Sequence, residues 1–185
     1  MIALRPAQFL FLFLLSLPLA GALAVDASYY PKRPGLRWTY SSGETQVMGA
    51  PVVHRGVSVT PVSHQFGSTV FTQDLLEHRA DGSVWLRGVN TGGRLTWYTP
   101  PLNIYPPGPL RPGQTWTGVT AGLRQRSTVV GVAPLRTPAG AYNTLKIRTE
   151  TVAAGKLSTQ TTYFVPTVGV VRYETADGSV IDLVK

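Results

Sequence analysis

The chain has 185 residues, with 17 lysines and arginines against 9 aspartates and glutamates, and it contains no cysteine. The absence of cysteine excludes disulfides, thiolate metal sites, a cysteine nucleophile and lipid attachment to an N-terminal cysteine. The formal net charge of +8 favours anionic partners, such as phospholipid headgroups and other polyanions, but says nothing about the fold.

Residues 1–24 have the pattern of a cleavable signal peptide. Arg5 precedes an apolar run over 9–19, and a small-residue site, Ala-Leu-Ala, ends at Ala24. A membrane-spanning helix needs about 20 predominantly apolar residues, so an uncleaved anchor is the less favoured alternative. We predict export to the periplasm, the cell surface or the medium. The mature chain, 25–185, is long enough for a single β domain.

The mature sequence predicts an all-β fold with little helix. Valine, threonine and aromatic residues alternate with polar ones between turn dipeptides, which is typical of antiparallel hairpins. A strand over 144–150 shows this alternation clearly. Further strands are predicted near 36–41, 45–49, 52–64, 67–73, 83–89, 93–99, 115–120, 124–133, 157–165, 168–175 and 179–184. The one helical candidate, 74–79, is equally consistent with the end of a strand.

A seven-residue motif occurs twice, at 33–39 and 111–117, with five identities. It divides the mature chain into two related halves, about 29–99 and 107–185, which predicts an antiparallel meander forming a curved half-barrel, a barrel or a sandwich. The Pro-rich segment 100–112 cannot be a central strand and is predicted to be a rigid, polyproline-like connector. A recognition motif for an aromatic groove is the alternative.

Three segments of the mature chain resemble a broad group of uncharacterised bacterial exported envelope proteins, many of them lipoproteins. These segments are the Tyr-Pro-x-x-x-Gly-x-x-Trp-x-Tyr opening at 30–40, a Pro-Ala-Gly-aromatic hairpin at 138–147 and a late strand at 165–172. The resemblance implies an antiparallel β fold related to the half-barrels of outer-membrane lipoprotein carriers, and residence in the cell envelope. It implies no activity, and this chain lacks the lipidated cysteine of many members.

No catalytic, cofactor-binding or metal-binding residues are predicted. His54, His64 and His78 have no metal-ligand spacing, and they fit solvated or core positions better. On one continuous strand, the first two would lie about 33 Å apart. No nucleophile motif occurs, and the nearest carboxylate pair, Asp74 and Glu77, fits an exposed turn. These two residues and His78 would be the first to examine if the protein were an enzyme.

The aromatic residues could form a ligand-binding surface or part of the hydrophobic core. The motif tryptophans are expected to be buried, with a ligand platform as the alternative. The full candidate set of core or ligand aromatics is Trp38, Trp97, Trp116, Tyr142 and Tyr163.

The sequence therefore predicts a non-enzymatic exported envelope domain that binds an apolar or amphipathic ligand, such as a lipid, or an envelope protein, in the concavity of a curved sheet. The alternative is a structural or adhesive component that contacts anionic polymer through a basic face. That face would draw on Arg111, Arg124, Arg126, Arg136, Lys146, Arg148, Lys156 and Arg172. Nucleic acid is disfavoured because no recognised binding motif accompanies the charge.

Overall fold

The computed structural model describes residues 29–185, so the predicted signal peptide lies outside the described residues. Within this range the chain forms thirteen β-strands and no α-helix, and every strand pair is antiparallel. The prediction of an all-β antiparallel fold is confirmed. Residues 29–185 contain no helix of the length and apolarity needed to cross a membrane.

Two sheets follow each other along the chain. The first has the order β1-β2-β4-β5-β6-β7, with β3 paired to β4, and the second has the order β13-β12-β11-β10-β9-β8. The first comprises β1 (Arg37–Thr39), β2 (Glu44–Met48), β3 (Val52–His54), β4 (Val57–Phe66), β5 (Thr69–His78), β6 (Val84–Thr91) and β7 (Arg94–Tyr105). The second comprises β8 (Thr115–Thr120), β9 (Leu123–Thr137), β10 (Gly140–Ala153), β11 (Lys156–Val165), β12 (Gly169–Thr175) and β13 (Val180–Asp182).

The two sheets pack against each other without closing into a barrel. The main hydrophobic core takes buried side chains from both, including Met48 and Leu76 of the first sheet and Val171 of the second. At one side, the first sheet is joined to the C-terminus by backbone hydrogen bonds such as Val184 N to Thr39 O, at 2.8 Å. The barrel alternative is therefore excluded, and a sandwich or half-barrel remains.

The two copies of the repeated motif adopt the same turn. Gly35 and Gly113 have φ values of 83° and 84°, which suit glycine, and each donates its amide to a carbonyl of a neighbouring strand segment at 2.8 Å. The tryptophans that follow are buried, and the indole of each donates a hydrogen bond to a backbone carbonyl outside its own sheet. Trp38 of the first sheet donates to Val168 O, between β11 and β12, at 2.7 Å, and Trp116 of the second sheet donates to Ile104 O on β7 at 3.1 Å.

Two predicted segments differ from the structure. The Pro-rich segment is not a connector throughout, because β7 continues through Pro100 and Pro101 to Tyr105. These prolines are tolerated because β7 is an edge strand and its register with β6 is irregular at this point. The predicted single strand over 52–64 is instead the β3–β4 hairpin, which reverses at Arg55 and Gly56, both with positive φ.

The candidate helical segment over 74–79 belongs to a strand instead. Residues 74–78 lie at the end of β5, which is the alternative that the sequence left open.

Candidate functional site

A cavity of about 190 Å³ lies between the two sheets and is lined by side chains from both. Sandwich interiors are normally apolar, but much of this lining consists of amide, hydroxyl and carboxylate groups. The polar lining residues are Gln46, His64, Asp74, Gln125, Ser127, Thr149, Gln160, Thr162 and Tyr173. We refer to this space as the polar cleft.

The polar cleft arises because the inner face of the second sheet changes character along its strands. Directly paired residues share a face, so Ile147 lies beside Val129 and Thr162 on the inner face. Two residues further along β10, Thr149 pairs with both Ser127 and Gln160. A row that is apolar at Val129 and Ile147 is thus followed by a row made entirely of hydroxyl and amide side chains.

One lining group is buried without a partner. Ser127 and Thr149 share a hydrogen bond between their hydroxyls at 2.9 Å, but Gln125 Oε1 is buried and has no hydrogen-bond partner among residues 29–185. A buried amide oxygen left unpaired costs about 1–3 kcal/mol. Gln125 therefore offers the polar cleft an acceptor that a ligand donor could satisfy.

The first sheet contributes a histidine held by two carboxylates. His64 Nδ1 lies 2.8 Å from Glu44 Oε1, and His64 Nε2 lies 3.2 Å from Asp74 Oδ2. Both ring nitrogens can donate to these acceptors only in the doubly protonated imidazolium. Burial disfavours that charge, but the hydrogen bonds and charges of Asp74 and Glu44 outweigh burial and raise the pKa of His64 above 6.5.

The histidine cluster is linked to the second sheet through a glutamine. Gln46 Nε2 donates to Glu44 Oε1 at 3.0 Å and lies 3.4 Å from the hydroxyl of Tyr173 on β12. Register explains the grouping, because Gln46 on β2 pairs with His64 on β4. With Asp74, five side chains from the two sheets thus form one polar network.

Aromatic rings border the cavity on its buried side. Tyr105 lies 5.1 Å from Tyr30, 6.5 Å from Trp116 and 5.1 Å from Phe164, measured between ring centroids. Burial raises the pKa of Tyr30 and of Tyr105, so both phenols stay neutral. The polar cleft therefore combines aromatic rings, which are tilted by 34–36° to one another, with amide and hydroxyl groups.

The histidine and the serine of the polar cleft are not arranged as a general base and a nucleophile. Both nitrogens of His64 are occupied by carboxylates, so neither is available to accept a proton from a substrate. The hydroxyl of Ser127 bonds to a threonine rather than to a histidine. Among the residues that the structure describes, no group of three or more His, Cys, Asp or Glu side chains could hold a metal ion.

Of the five candidate aromatics, only Trp116 lines the cavity. Trp38 is buried in the main core, and Tyr163 is 9% exposed with its ring beneath Lys146. Trp97 and Tyr142 are half-buried. Trp97 packs against His54 at 5.2 Å, and Tyr142 donates to Ala139 O at 3.3 Å.

The residues named as first candidates for an enzyme are not brought together. Asp74 faces the cavity and binds His64, whereas Glu77 accepts from Arg87 at 2.7 Å on the opposite face. His78 packs against Tyr30, with ring centroids 5.9 Å apart. Residues three apart on a strand point to opposite faces, so β5 separates the two carboxylates.

Comparison with known proteins gives no family. No protein-family model matches the chain, and no curated protein matches it. Two crystal structures are similar in outline. One is a candidate exported protein with a YmcC-like fold from Bacteroides fragilis, at 15% identity and a TM-score of 0.49. The other is a candidate lipoprotein from Parabacteroides distasonis, at 11% identity and a TM-score of 0.45. Each comparison covers 86% of this chain and 98% of the other.

Proposed function

We propose that this protein is an exported, non-enzymatic binding domain of the cell envelope, and that the polar cleft takes a small ligand rich in hydroxyl groups, such as a sugar unit. The signal-peptide pattern of residues 1–24 supports export. The lining of the cleft supports the ligand class.

The observation that carries this proposal is the row of uncharged polar side chains on the inner face of the second sheet. Amides and hydroxyls both donate and accept, as ligand hydroxyls do, and Gln125 brings a buried acceptor that lacks a protein partner among the described residues. Trp116 and Tyr105 supply aromatic surface for the apolar face of a sugar ring. Asp74, already bound to His64, adds a charged acceptor.

Cavity size argues against the acyl chain of a lipid. The volume of about 190 Å³ is smaller than the roughly 300–1,000 Å³ of pockets for drug-sized ligands. An acyl chain would also strip water from the hydroxyls and amides without replacing their hydrogen bonds. A single sugar unit fits both the volume and the lining.

Titration with simple sugars tests this proposal. Isotope-labelled protein would be titrated with glucose, galactose, mannose and N-acetylglucosamine while amide and side-chain resonances are followed by NMR. We expect at least one sugar to shift resonances of Gln125, Thr149 and Gln160. Thr149→Val or Gln125→Leu should weaken that binding by about 3- to 10-fold each, the value of one hydrogen bond.

Thr161→Val is the matched control, because Thr161 pairs with Arg148 on the outer face of the same sheet. That variant should bind as the wild type does. Absence of any shift with all four sugars would contradict the proposal. Saturable binding of palmitate, with shifts in the same residues, would instead support the amphipathic ligand that the sequence predicts.

A further inference from the structure

Two hairpins of the second sheet end side by side and carry a row of side chains on its outer face. The β8–β9 turn lies at 121–122 and the β10–β11 turn at 154–155. Across these hairpins Val119 pairs with Arg124, Arg124 with Val152, and Val152 with Leu157. The four side chains therefore form one row across four strands, which we call the tip row.

Three of the four side chains in the tip row are aliphatic, and all three are exposed. Val119 is 52% exposed, Val152 38% and Leu157 67%. The turns beside them consist of exposed alanine and glycine at 121–122 and 153–155, with no charged residue among them. Single exposed aliphatic side chains are ordinary on protein surfaces, but a contiguous group with apolar turns marks an interaction site.

Unpaired positive charges surround this aliphatic group. Arg124 belongs to the tip row, Arg126 lies two residues further along β9 on the same face, and Lys156 directly follows the β10–β11 turn as the first residue of β11. All three are exposed, and none forms an ion pair with any residue in 29–185. Glu150, which is opposite Arg126, is engaged by Arg148 at 2.9 Å. Asp177, which lines a cavity together with Leu157, adds one negative charge, so the three unpaired cations still leave a net positive charge beside the tip row.

We propose that the tip row docks this protein on an anionic lipid bilayer. Aliphatic side chains on exposed turns can enter the headgroup region, while neighbouring arginine and lysine side chains meet lipid phosphates. An anionic polymer would use only the charges, and it would leave Leu157, the most exposed side chain of the tip row, without a role. The bilayer accounts for the aliphatic and the basic parts of the surface together.

This docking surface is separate from the proposed sugar site. The tip row lies on the outer face of the second sheet, whereas Gln125 and Thr149 lie on the inner face. Leu157 borders a further cavity that also includes Gln125, Thr149 and Gln160. The sugar titration is therefore a fold control for the arginine variant, and the melting temperature is the fold control for the Leu157 variant.

Vesicle flotation tests the proposal. Protein purified after export from its host would be mixed with vesicles of phosphatidylcholine alone, or with about 30% phosphatidylglycerol added. We expect a partition coefficient at least tenfold higher on the anionic vesicles. It should fall, without vanishing, when the salt is raised from about 0.05 M to about 0.5 M.

Two kinds of variant separate the aliphatic from the basic contribution. Leu157→Gln with Val119→Thr should lower partitioning by about tenfold at unchanged charge. Arg124→Gln with Arg126→Gln should lower it by about 25-fold, or fivefold per charge. Exposed residues of the first sheet give matched controls, Val53→Thr and Arg37→Gln, and these should partition as the wild type does.

Three outcomes would overturn the proposal. Equal binding to neutral and anionic vesicles would remove the charge complementarity. Loss in the arginine variant with no loss in the Leu157 variant would assign the surface to anionic polymer instead of a bilayer. Retention of full binding in both variants, with melting temperatures unchanged, would place lipid contact elsewhere on the molecule.

Discussion

Replacing Phe164 with alanine is expected to lower the free energy of unfolding by about 3–5 kcal/mol, the range for large aromatic truncations in protein cores. Phe164 is 0% exposed, and its ring contacts those of Tyr29, Tyr30 and Tyr105 at 5.5, 6.2 and 5.1 Å. The neighbouring rings come from the segment before β1 and from the first sheet, so the side chain links parts of both halves. Urea unfolding followed by tryptophan fluorescence measures the loss.

Phe66→Ala is the matched control for this prediction, because it removes the same atoms from a residue that is 51% exposed. Within residues 29–185 the ring of Phe66 stacks on that of Phe71 alone, at 5.2 Å, and we expect a loss below about 1 kcal/mol. Similar losses in the two variants would contradict the placement of Phe164 at the centre of the core. Since domains of this size are stable by about 5–15 kcal/mol, the core variant should remain measurable by calorimetry.

Local sequence patterns were sufficient to predict the all-β fold class, because a hairpin is formed by residues that are adjacent in the sequence. Alternation over 144–150 and turn dipeptides at 154–155 and 177–178 all lie where the structure has a strand or a turn. The 52–64 error has a local cause as well. Arg55 is not a typical turn residue, so the reversal at Arg55–Gly56 resembled a continuous strand.

The Pro-rich segment shows that the pairing of a strand, which the sequence does not reveal, decides whether the strand can contain prolines. Proline is excluded from central strands because it has no amide proton to donate. Whether a strand is central or at an edge depends on the partners it finds, and β7 has a sheet partner on one side alone, β6. The prolines at 100–101 correctly predict that this segment is not a central strand, but the sequence does not show that β7 lies at the edge of its sheet.

The polar cleft was missed because both faces of β9 are polar at its start. Arg124 and Arg126 alternate with Gln125 and Ser127, so alternation alone does not say which pair faces inward. A signal was nonetheless present: Gln125 and Ser127 share their parity with Val129, which is completely buried. Because every second residue of a strand faces the same way, counting back along β9 from Val129 would have placed Ser127 and Gln125 on the inner face.

The hydrogen-bond partners of His64 could not be predicted from the sequence, for a different reason. Glu44 and Asp74 are 20 and 10 residues away, and only the pairing of β4 with both β2 and β5 brings them to the histidine. Compact metal or catalytic motifs are recognised by short spacing, whereas this cluster is set by sheet register. Asp74 was noticed as one of a carboxylate pair, yet its partner in the structure is a residue on another strand.

Replacing His64 with leucine is expected to destabilise the protein by about 2 kcal/mol near pH 6, and by less at higher pH. The loss is smaller than the 3–5 kcal/mol of a fully buried pair because the three side chains are 17–33% exposed. The raised pKa of His64 sets the direction in which this stabilisation changes with pH. Its stabilisation is fully present below pH 6.5, the value in the unfolded chain, and is lost as the pH rises through the higher folded pKa. A neutral imidazole can donate to one carboxylate alone.

Unfolding of the wild type and the His64→Leu variant from about pH 5 to about pH 9 tests this linkage. The difference in unfolding free energy should be largest below the folded pKa of His64 and should shrink above it. His64→Gln is the control, since an amide can donate to a carboxylate but does not titrate, so it should recover part of the stability without the pH dependence. A difference that stays constant across the range would mean that His64 is not an imidazolium between Glu44 and Asp74. The cleft would then contain two carboxylates that are held by neutral hydrogen bonds, and its preference among small polar ligands would shift towards cations.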